Sequence, residues 1–356
     1  MSAPHSILVI RLSSLGDVLM SLPAVKAMKD HMPEARISWL VEGAVGEFLI
    51  HQPFIDEVIS FPRARLSREL RSGRFSAAGH TLGEFLSRLR AHRYDLILDF
   101  HGIAKSTLLA YAARGEMRVG LDRMFAKELT WLAYGERVGG VHARLHKVDR
   151  NMLFPRYLGV NGGVPSLELR TGHTAEDYIE TFCASEGLTG PFFTVNPFCS
   201  KGSDAKRWDI ESYAGLIRRI RDAFPVELVV LWGPGEREEA ERLVAMSDKA
   251  ARLACPTDVS QLFALVRRAR LYIGGDTGVM HLAAFAGTPV VSIFGPTDHR
   301  INAPYGERHA VIRKELSCSP CRDKGKGCAE RTCLGSMGVD EVYDAVRASW
   351  ERMRGN

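Results

Sequence analysis

The amino-acid sequence contains no run of about 18 apolar residues, the length that a helix needs to cross the hydrocarbon core of a bilayer. We therefore expect no membrane-spanning segment. Residues Met1 to Ser6 lead directly into an apolar, strand-like segment, and the first arginine, Arg11, comes only after its start. Because a secretory signal peptide carries its positive residues before its apolar run, the expected location is the cytoplasm.

A strong excess of charge of one sign is also missing. The 47 Lys and Arg against 42 Asp and Glu give a formal net charge of +5. This excess is far smaller than a dedicated nucleic-acid-binding protein usually carries, so we expect no nucleic-acid partner. Hydrophobic residues at 46% and charged residues at 25% are ordinary for a globular protein. A chain of 356 residues is long enough for two α/β domains, each with its own core.

Short apolar segments alternate with amphipathic ones in both halves of the chain. The predicted strands are 7–12, 37–41, 57–60, 94–99, 193–196, 226–232, 271–274 and 289–294. Strands that alternate with helices indicate βαβ units around a parallel sheet. The glycines and proline of 161–165 mark the best linker. The prediction is an α/β protein of two Rossmann-like domains facing a cleft, 1–165 and 166–338, with a closing helix 339–356 that could pack back on the N-terminal domain.

The segment between Phe61 and Thr81 breaks this alternation. It holds five arginines in twelve residues, together with two glycines; the arginines are Arg63, Arg65, Arg68, Arg71 and Arg74. Its composition predicts a mobile basic loop. A solvated charged surface is the structural alternative to a binding role for the individual arginines.

The G-x-G-x-x-G fingerprint of dinucleotide-binding proteins is absent after the first predicted strand, which disfavours an NAD-dependent oxidoreductase. The chain has Ser13-Ser-Leu-Gly-Asp17 at this point instead. Open α/β sheets bind ligands beyond the carboxyl ends of their strands, so Asp17 is well placed to act as a general base. The alternative is that Ser14 or Asp17 only caps the helix that follows.

Two glycine turns follow consecutive strands in the second half: Gly274-Gly-Asp-Thr-Gly278, with His281 one turn later, and Phe294-Gly-Pro-Thr-Asp298. Backbone N–H groups at a helix start bind phosphate readily, so the two turns predict a diphosphate site. Lys206 is a candidate phosphate cation, and Glu236 could accept hydrogen bonds from ribose hydroxyls. The structural alternatives are a Thr-capped turn, a core histidine, a solvated lysine and a first-turn acid.

Four cysteines lie within sixteen residues near the end of the chain: Cys318, Cys321, Cys328 and Cys333. The first pair has metal-like spacing, so a structural zinc or iron–sulfur site stays open. Stable disulfides are disfavoured in the cytoplasm. The other three cysteines, at 183, 199 and 255, are expected to be small buried hydrophobes.

In their order and spacing, five elements resemble those of the bacterial lipopolysaccharide heptosyltransferases, a family of GT-B glycosyltransferases. They are Ser13-Ser-Leu-Gly-Asp17, Asp99-Phe-His-Gly-Ile-Ala-Lys105, Lys206-Arg-Trp208, Gly275-Asp-Thr-Gly278 with His281, and Phe294-Gly-Pro-Thr-Asp298. The resemblance extends from Ile7 to about Val342. The segments His101–Ser106 and Arg118–Asp122 are more similar to heptosyltransferase I, which adds the first heptose to Kdo. The segment Cys318–Cys321 is more similar to heptosyltransferase II.

The resemblance implies an inverting transfer of L-glycero-D-manno-heptose from ADP-heptose to the Kdo inner core of lipopolysaccharide, with no cofactor and no metal. Asp17 would deprotonate the acceptor hydroxyl and Lys206 would stabilise the departing ADP. The residues implied for the donor are Ser14, Gly16, Glu236, Asp276, Thr277, Gly278, His281 and Thr297. Those implied for the acceptor are Arg63, Arg65, Arg68 and Lys105. The enzyme would work peripherally, at the inner face of the cytoplasmic membrane.

Two other functions remain open from the residues alone. A GT-B sugar-nucleotide epimerase would share the phosphate-binding turns but has no use for an arginine-rich acceptor segment. A non-catalytic nucleotide-binding module would tolerate any residue at position 17.

Overall fold

The computed structural model describes residues 4–140, 144–200, 202–321, 328 and 330–355. The chain divides into two compact units, Met1–Arg170 and Thr171–Asn356. The division therefore falls between Arg170 and Thr171, a few residues after the boundary that the glycines of 161–165 suggested. In the described part of the chain, no helix combines the length and the apolar character that crossing a membrane requires.

The described residues of the first unit form one parallel sheet with helices between its strands. The strands are β1 (Ser6–Ile10), β2 (Arg36–Glu42), β3 (Glu57–Phe61), β4 (Tyr94–Asp99), β5 (Gly115–Leu121) and β6 (Glu136–Val138). The helices are α1 (Leu15–Leu19), α2 (Leu22–His31), α3 (Val45–Leu49), α4 (Arg63–Arg71), α5 (Phe75–Leu89), α6 (Ala104–Ala112), α7 (Lys147–Asn151) and α8 (Leu153–Tyr157). The strand order is β3-β2-β1-β4-β5-β6.

The described residues of the second unit form a second parallel sheet. Its strands are β7 (Phe192–Asn196), β8 (Glu227–Val230), β9 (Arg252–Leu253), β10 (Leu271–Gly275), β11 (Val290–Phe294) and β12 (Ala310–Arg313). The helices are α9 (His173–Ser185), α10 (Ile210–Ala223), α11 (Arg237–Met246), α12 (Val259–Arg268), α13 (Gly278–Phe285), α14 (His299–Asn302), α15 (Thr332–Gly335) and α16 (Val339–Gly355). The strand order is β12-β11-β10-β7-β8-β9.

Both sheets have the Rossmann strand order, in which the first strand of the unit lies between its second and its fourth. The order reverses between β1 and β4 in the first unit and between β7 and β10 in the second. Loops that leave the carboxyl ends of such a strand pair diverge and open a crevice, which is where open α/β sheets bind ligands. We therefore expect ligand-binding sites at these two switch points.

All eight predicted strands are present, because strands covered by helices on both faces must be apolar throughout. Ile7 to Ile10 of β1 and Val290 to Phe294 of β11 are all buried. The strands β5, β6, β9 and β12 were not predicted, because they lie away from the sheet centres and carry few consecutive apolar residues. The segment after β1 forms two helices, α1 and α2, and Pro23 lies in the first turn of the second one.

The prediction of a mobile loop between Phe61 and Thr81 is wrong, because Arg63–Arg71 form helix α4, which packs against α5. The buried face of α4 carries a charged residue, Glu69, whose carboxylate accepts hydrogen bonds from Arg65 Nε (3.0 Å) and Thr81 Oγ1 (3.2 Å). Arginine and glutamate are good helix formers, but a helix that packs through a carboxylate shows no apolar periodicity. The sequence pattern therefore missed it.

The closing helix α16 packs inside the second unit, against α10, β11 and β12. Val342 and Val346 are buried in the core of that unit, and the Trp350 ring lies 5.5 Å from the Phe193 ring, centroid to centroid. The packing of this helix on the N-terminal domain, which we expected as one option, stays a prediction. The apolar stripe of α16 covers aromatic side chains at the face of the second sheet, which explains its packing inside this unit.

Candidate active site

The first switch point carries Asp17, in the first turn of α1. Its carboxylate forms two ion pairs: Arg11 NH2 lies 2.9 Å from Oδ2, and Lys147 Nζ lies 2.7 Å from Oδ1. Burial raises the pKa of the Asp17 carboxyl, but the charges of Arg11, Lys147 and Arg150 and a hydrogen bond from Lys147 outweigh it and hold the pKa well below its usual range. Asp17 is therefore fully ionised at neutral pH.

Asp17 is not the N-cap of α1 but the acid of its first turn, a position that the helix dipole favours. The N-cap of α1 is Ser14, whose side chain makes no capping hydrogen bond. Ser14 Oγ instead lies 3.4 Å from Asp17 Oδ2, and Gly16 is buried between the two residues. The structure thus brings Ser14, Gly16 and Asp17 together at one turn of the first unit.

The loop after β4 is held by a fully buried carboxylate, Asp99. It accepts hydrogen bonds from Tyr134 OH (2.7 Å), Ser106 Oγ (2.9 Å) and the backbone N–H groups of His101 (2.9 Å) and Gly102 (3.1 Å). Burial raises the pKa of Asp99 in spite of these donors. The network fixes the start of α6, and with it Lys105.

His101 connects this loop to the loop after β1. Its Nδ1 accepts a hydrogen bond from the Leu12 N–H at 3.3 Å. Burial, together with the positive charge of Arg11, lowers the pKa of His101 to about 3. The imidazole is therefore neutral at the pH at which cells work, and it holds the loop as a hydrogen-bond acceptor.

Two of the predicted acceptor residues meet at one carboxylate, Glu42, which ends β2. Lys105 Nζ lies 2.5 Å from Oε2 and Arg63 NH1 lies 2.9 Å from Oε1. Burial raises the pKa of Glu42, but the hydrogen bonds from Lys105 and Arg63 outweigh it and leave the pKa below its ordinary value. This cluster also lies at the carboxyl edge of the first sheet.

A groove of about 730 Å³ lies beside this cluster, between α3 and α4. Arg63, Arg65, Arg68 and Arg71 line it from α4. Arg65 is engaged by Glu69 and, at 3.8 Å, by Glu84. The groove, which we call the arginine groove, therefore has a wall of four arginines on one helix.

The second switch point carries an ion pair between two predicted donor residues. Lys206 Nζ, in the loop after β7, lies 2.9 Å from Asp276 Oδ2, directly after β10. Asp276 is buried, whereas the Lys206 side chain is more than a quarter exposed. A cation and a carboxylate from the two loops of the crevice are thus in direct contact.

Thr277 is the N-cap of α13, and its Oγ1 accepts a hydrogen bond from the Met280 N–H at 3.4 Å. The Asn196 amide also reaches Thr277 Oγ1, at 3.4 Å, and Tyr272 OH, at 3.1 Å. The helix starts at Gly278, so its first N–H groups open toward the crevice. The capping role that we considered for Thr277 is therefore present, and it leaves the helix terminus open to an anion.

The remaining donor candidates lie around the same edge of the second sheet. Glu236 follows β8 and accepts a hydrogen bond from the Gly233 N–H at 2.7 Å. Thr297 follows β11, and its buried Oγ1 has no hydrogen-bond partner among the residues described. His281 is buried on α13. The strands β8, β7, β10 and β11 are neighbours in the sheet, so Glu236, Lys206, Asp276 and Thr297 follow four adjacent strand ends.

The cysteines give no metal centre within the described residues, where no three His, Cys, Asp or Glu side chains are grouped so that they could hold a metal ion. Cys318 and Cys328 are exposed, and Cys321 and Cys333 are half-buried. The other three, Cys183, Cys199 and Cys255, are half-buried rather than fully buried. Residues 322–327 and 329, within the cysteine segment, lie outside the described part.

Sequence reasoning missed four charged partners of the predicted residues: Arg11, Glu42, Lys147 and Arg150. A signal existed for Arg11 and Glu42, because each is a charged residue at the end of an apolar strand. The sequence offers no such signal for Lys147 and Arg150. They lie on the short helix α7, far along the chain from Asp17, and only the fold brings them to it.

Comparison with solved structures identifies the fold class. The chain is similar to the structure described as E. coli heptosyltransferase WaaC with ADP, with a TM-score of 0.76 and 23% identity over 97% of this chain and 99% of that one. Its two Rossmann-like units therefore have the GT-B fold. The model of glycosyltransferase family 9 (heptosyltransferase) matches residues 82–331, and the chain belongs to this family.

Curated relatives agree with this assignment. Lipopolysaccharide heptosyltransferase 1 of Pseudomonas aeruginosa is 27% identical over 332 residues, 89% of this chain and 86% of that protein. Lipopolysaccharide heptosyltransferase 2 of Salmonella typhimurium is 28% identical over 332 residues, 86% of this chain and 87% of that protein. Membership of a glycosyltransferase family decides against the epimerase and the non-catalytic module.

Proposed function

We propose that this glycosyltransferase transfers L-glycero-D-manno-heptose from ADP-heptose to the Kdo inner core of lipopolysaccharide, with inversion at the anomeric carbon. The observation that carries the proposal is the ionised Asp17 at the switch point of a sheet whose edge also holds the arginine groove. A carboxylate and a basic groove suit a hydroxyl nucleophile on an anionic acceptor. Relatives named as heptosyltransferases of lipopolysaccharide support the choice of substrates.

The donor is proposed to bind at the second switch point. Lys206 and the N-terminus of α13 at Gly278 would hold the diphosphate, with Thr297 Oγ1 as a further donor. A phosphate that engages Lys206 releases Asp276, which is then available to accept hydrogen bonds from heptose hydroxyls. Negative charge develops on the leaving ADP, so these donors stabilise the transition state more than the ground state.

The acceptor is proposed to bind at the first switch point, at the inner face of the membrane. Its hydroxyl attacks the anomeric carbon as the bond from that carbon to the ADP oxygen breaks. The hydroxyl proton passes to Asp17, and the bonding electron pair leaves with ADP. Arg63, Arg65 and Arg68 in the arginine groove, with Lys105 at its edge, would meet the acidic groups of the acceptor.

The test is incubation with ADP-heptose and a panel of truncated lipopolysaccharides, read by mass spectrometry. We expect one heptose residue to be added to a core that ends in Kdo. Addition only to a core that already carries a heptose would assign the enzyme to the second transfer step. No transfer to any acceptor, by protein that still binds ADP, would refute the proposed function.

A further inference from the structure

Three cations face the single carboxylate of Asp17. Arg11 is fixed: its NH1 donates to the Phe100 carbonyl at 2.7 Å, its NH2 pairs with Asp17, and its side chain is only 5% exposed. Lys147 pairs with the other carboxylate oxygen and is 24% exposed. Arg150 contributes a third positive charge. The cluster therefore carries two more positive charges than Asp17 can neutralise.

Arg150 has no carboxylate partner of its own in the described part of the chain. Its guanidinium lies over the Phe125 ring, 5.7 Å from the centroid, and its buried Nε has no hydrogen-bond partner there. Burial and the charge of Arg11 lower the pKa of Arg150 to about 10, so it stays protonated at neutral pH. A half-buried cation that shares its one nearby carboxylate, Asp17, with two other cations is a strong binding site for an anion.

We propose that Lys147 and Arg150 bind the carboxylate of the acceptor Kdo, and that this carboxylate draws Lys147 away from Asp17. This inference rests on the proposed function. Kdo is an acidic sugar, so the carboxylate and the accepting hydroxyl belong to one small molecule and can reach two sites as close together as Lys147 and Asp17. Lys147 is the partner that moves, because it is a flexible and partly exposed side chain, whereas Arg11 is anchored at both ends of its guanidinium.

The exchange couples acceptor binding to proton abstraction. An Asp17 carboxylate held by both Arg11 and Lys147 is a weak base, because protonation would forfeit two ion pairs. Once Lys147 pairs with the acceptor, Asp17 keeps one ion pair, that with Arg11, and accepts a proton more readily. Without an acceptor, the same carboxylate is a poor base for water. The arrangement thereby protects ADP-heptose from hydrolysis until the correct acidic sugar is present.

The experiment compares a Kdo glycoside with its carboxyl methyl ester as acceptors, at saturating ADP-heptose. We expect the wild-type protein to prefer the acid in kcat/KM by about 10- to 100-fold, the range for a charged hydrogen bond. Lys147→Met should lose most of this preference. It should transfer to the ester at least as fast as the wild type does, because the cation that restrains Asp17 is gone. If Lys147 had only a structural role, Lys147→Met would lower the rate of transfer to the acid and to the ester alike.

Three further variants complete the design. Lys147→Arg and Arg150→Lys keep the positive charges and should retain a preference for the acid. Arg156→Met removes an exposed arginine of α8 and is the matched control, with both acceptors unchanged. ADP release without an acceptor gives an independent measurement, and it should be faster in Lys147→Met than in the wild type.

The outcomes separate this inference from the proposed function. If the wild type transfers heptose but Lys147→Met keeps the full preference for the acid, the inference is wrong and the proposed function stands. A wild type that uses acid and ester equally well likewise overturns the inference and leaves the proposed function in place. If the wild type transfers heptose to neither acceptor nor to any truncated lipopolysaccharide, both fall together.

Discussion

Replacing Asp17 by Asn tests the proposed base with a minimal change in shape. The amide keeps the size of the side chain but cannot accept the proton of the attacking hydroxyl. The substitution also removes the negative charge of Asp17. In the ion pairs described above, that is the only negative charge that faces the cluster of Arg11, Lys147 and Arg150. The substitution therefore has a chemical effect and an electrostatic one, and the two must be measured separately.

The structure sets both magnitudes. Loss of general-base assistance should lower kcat by about 10²–10⁴. Loss of two charged contacts at a carboxylate that is 21% exposed should cost about 2–3 kcal/mol of stability. For a unit of this size, that cost corresponds to a fall of roughly 4 to 12 °C in its Tm. Asp17→Asn should therefore be folded at room temperature but measurably less stable.

The assay combines steady-state kinetics, ADP titration and a thermal scan on three proteins: wild type, Asp17→Asn, and the double variant Asp17→Asn/Lys147→Met. The double variant removes one of the cations left without a partner, so it should regain part of the lost stability. Its kcat should stay as low as that of the single variant, because no base has been restored. ADP affinity should be near normal in all three proteins.

Two results would refute this reasoning. Turnover of Asp17→Asn within a few-fold of the wild-type rate would show that the base lies elsewhere. Recovery of kcat in the double variant would show that the single variant fails through unbalanced charge and not through loss of a proton acceptor. Either result leaves the family assignment untouched.

Further predictions concern the donor site, the arginine groove and the acid range. Lys206→Ala should weaken ADP binding by about 1.5–3 kcal/mol in calorimetry, with the exposed Lys249→Ala as control; unchanged affinity and turnover would remove Lys206 from the site. Replacing Arg63, Arg65 and Arg68 together should raise the acceptor KM and flatten its salt dependence, without affecting donor affinity. Arg65 also forms an ion pair with Glu69, so its loss could disturb α4. The double variant Arg63→Gln/Arg68→Gln leaves that pair in place and should show the same effect. An unchanged acceptor KM and an unchanged salt response would mean that the groove is only a solvated surface. The pKa of His101 is about 3 in the folded protein and near 6.5 in the unfolded chain. Below pH 6.5 the unfolded chain therefore binds a proton that the folded protein does not. The free energy of unfolding should fall as the pH drops below 6.5, by roughly 1–2 kcal/mol at pH 5. In His101→Asn, Oδ1 can accept the hydrogen bond from the Leu12 N–H, but the side chain cannot titrate. The free energy of unfolding in urea should therefore differ less between pH 7 and pH 5 in this variant than in the wild type. An equal difference in the two proteins would contradict the argument.

Much of the fold was predictable because it depends on short, continuous segments of the sequence. Strands buried on both faces must be apolar throughout, which marks β1, β4 and β11 in the sequence. The turn at Gly274–Gly278 was visible for a related reason. An ideal Cβ at Gly274 would lie 2.8 Å from the Asn196 carbonyl oxygen, so only glycine fits between these strands. Local patterns of this kind identified Asp17 and Lys206 as candidates after strand ends, and the family resemblance added Asp276 and Thr277.

Helix α4 and the packing of α16 were not predictable from local patterns. A helix whose buried face carries Glu69 has no apolar period, so its arginines resembled those of a loop. The apolar stripe of α16 shows that the helix must pack, but not against what. That choice depends on the aromatic surface of the second sheet, to which Phe193 and Phe224 contribute.

By itself the sequence determined which segments become the eight predicted strands, which turns need glycine and which charged residues follow strand ends, since each depends on neighbours along the chain. The tertiary structure decided what those charged residues meet. The strand order places the loops after β1 and β4 side by side, and the return of the chain at α7 brings Lys147 to within 2.7 Å of Asp17, a residue far from it in sequence. The ionisation of Asp17 follows from that encounter, because a pKa responds to charges that are close in space, wherever they lie in the chain.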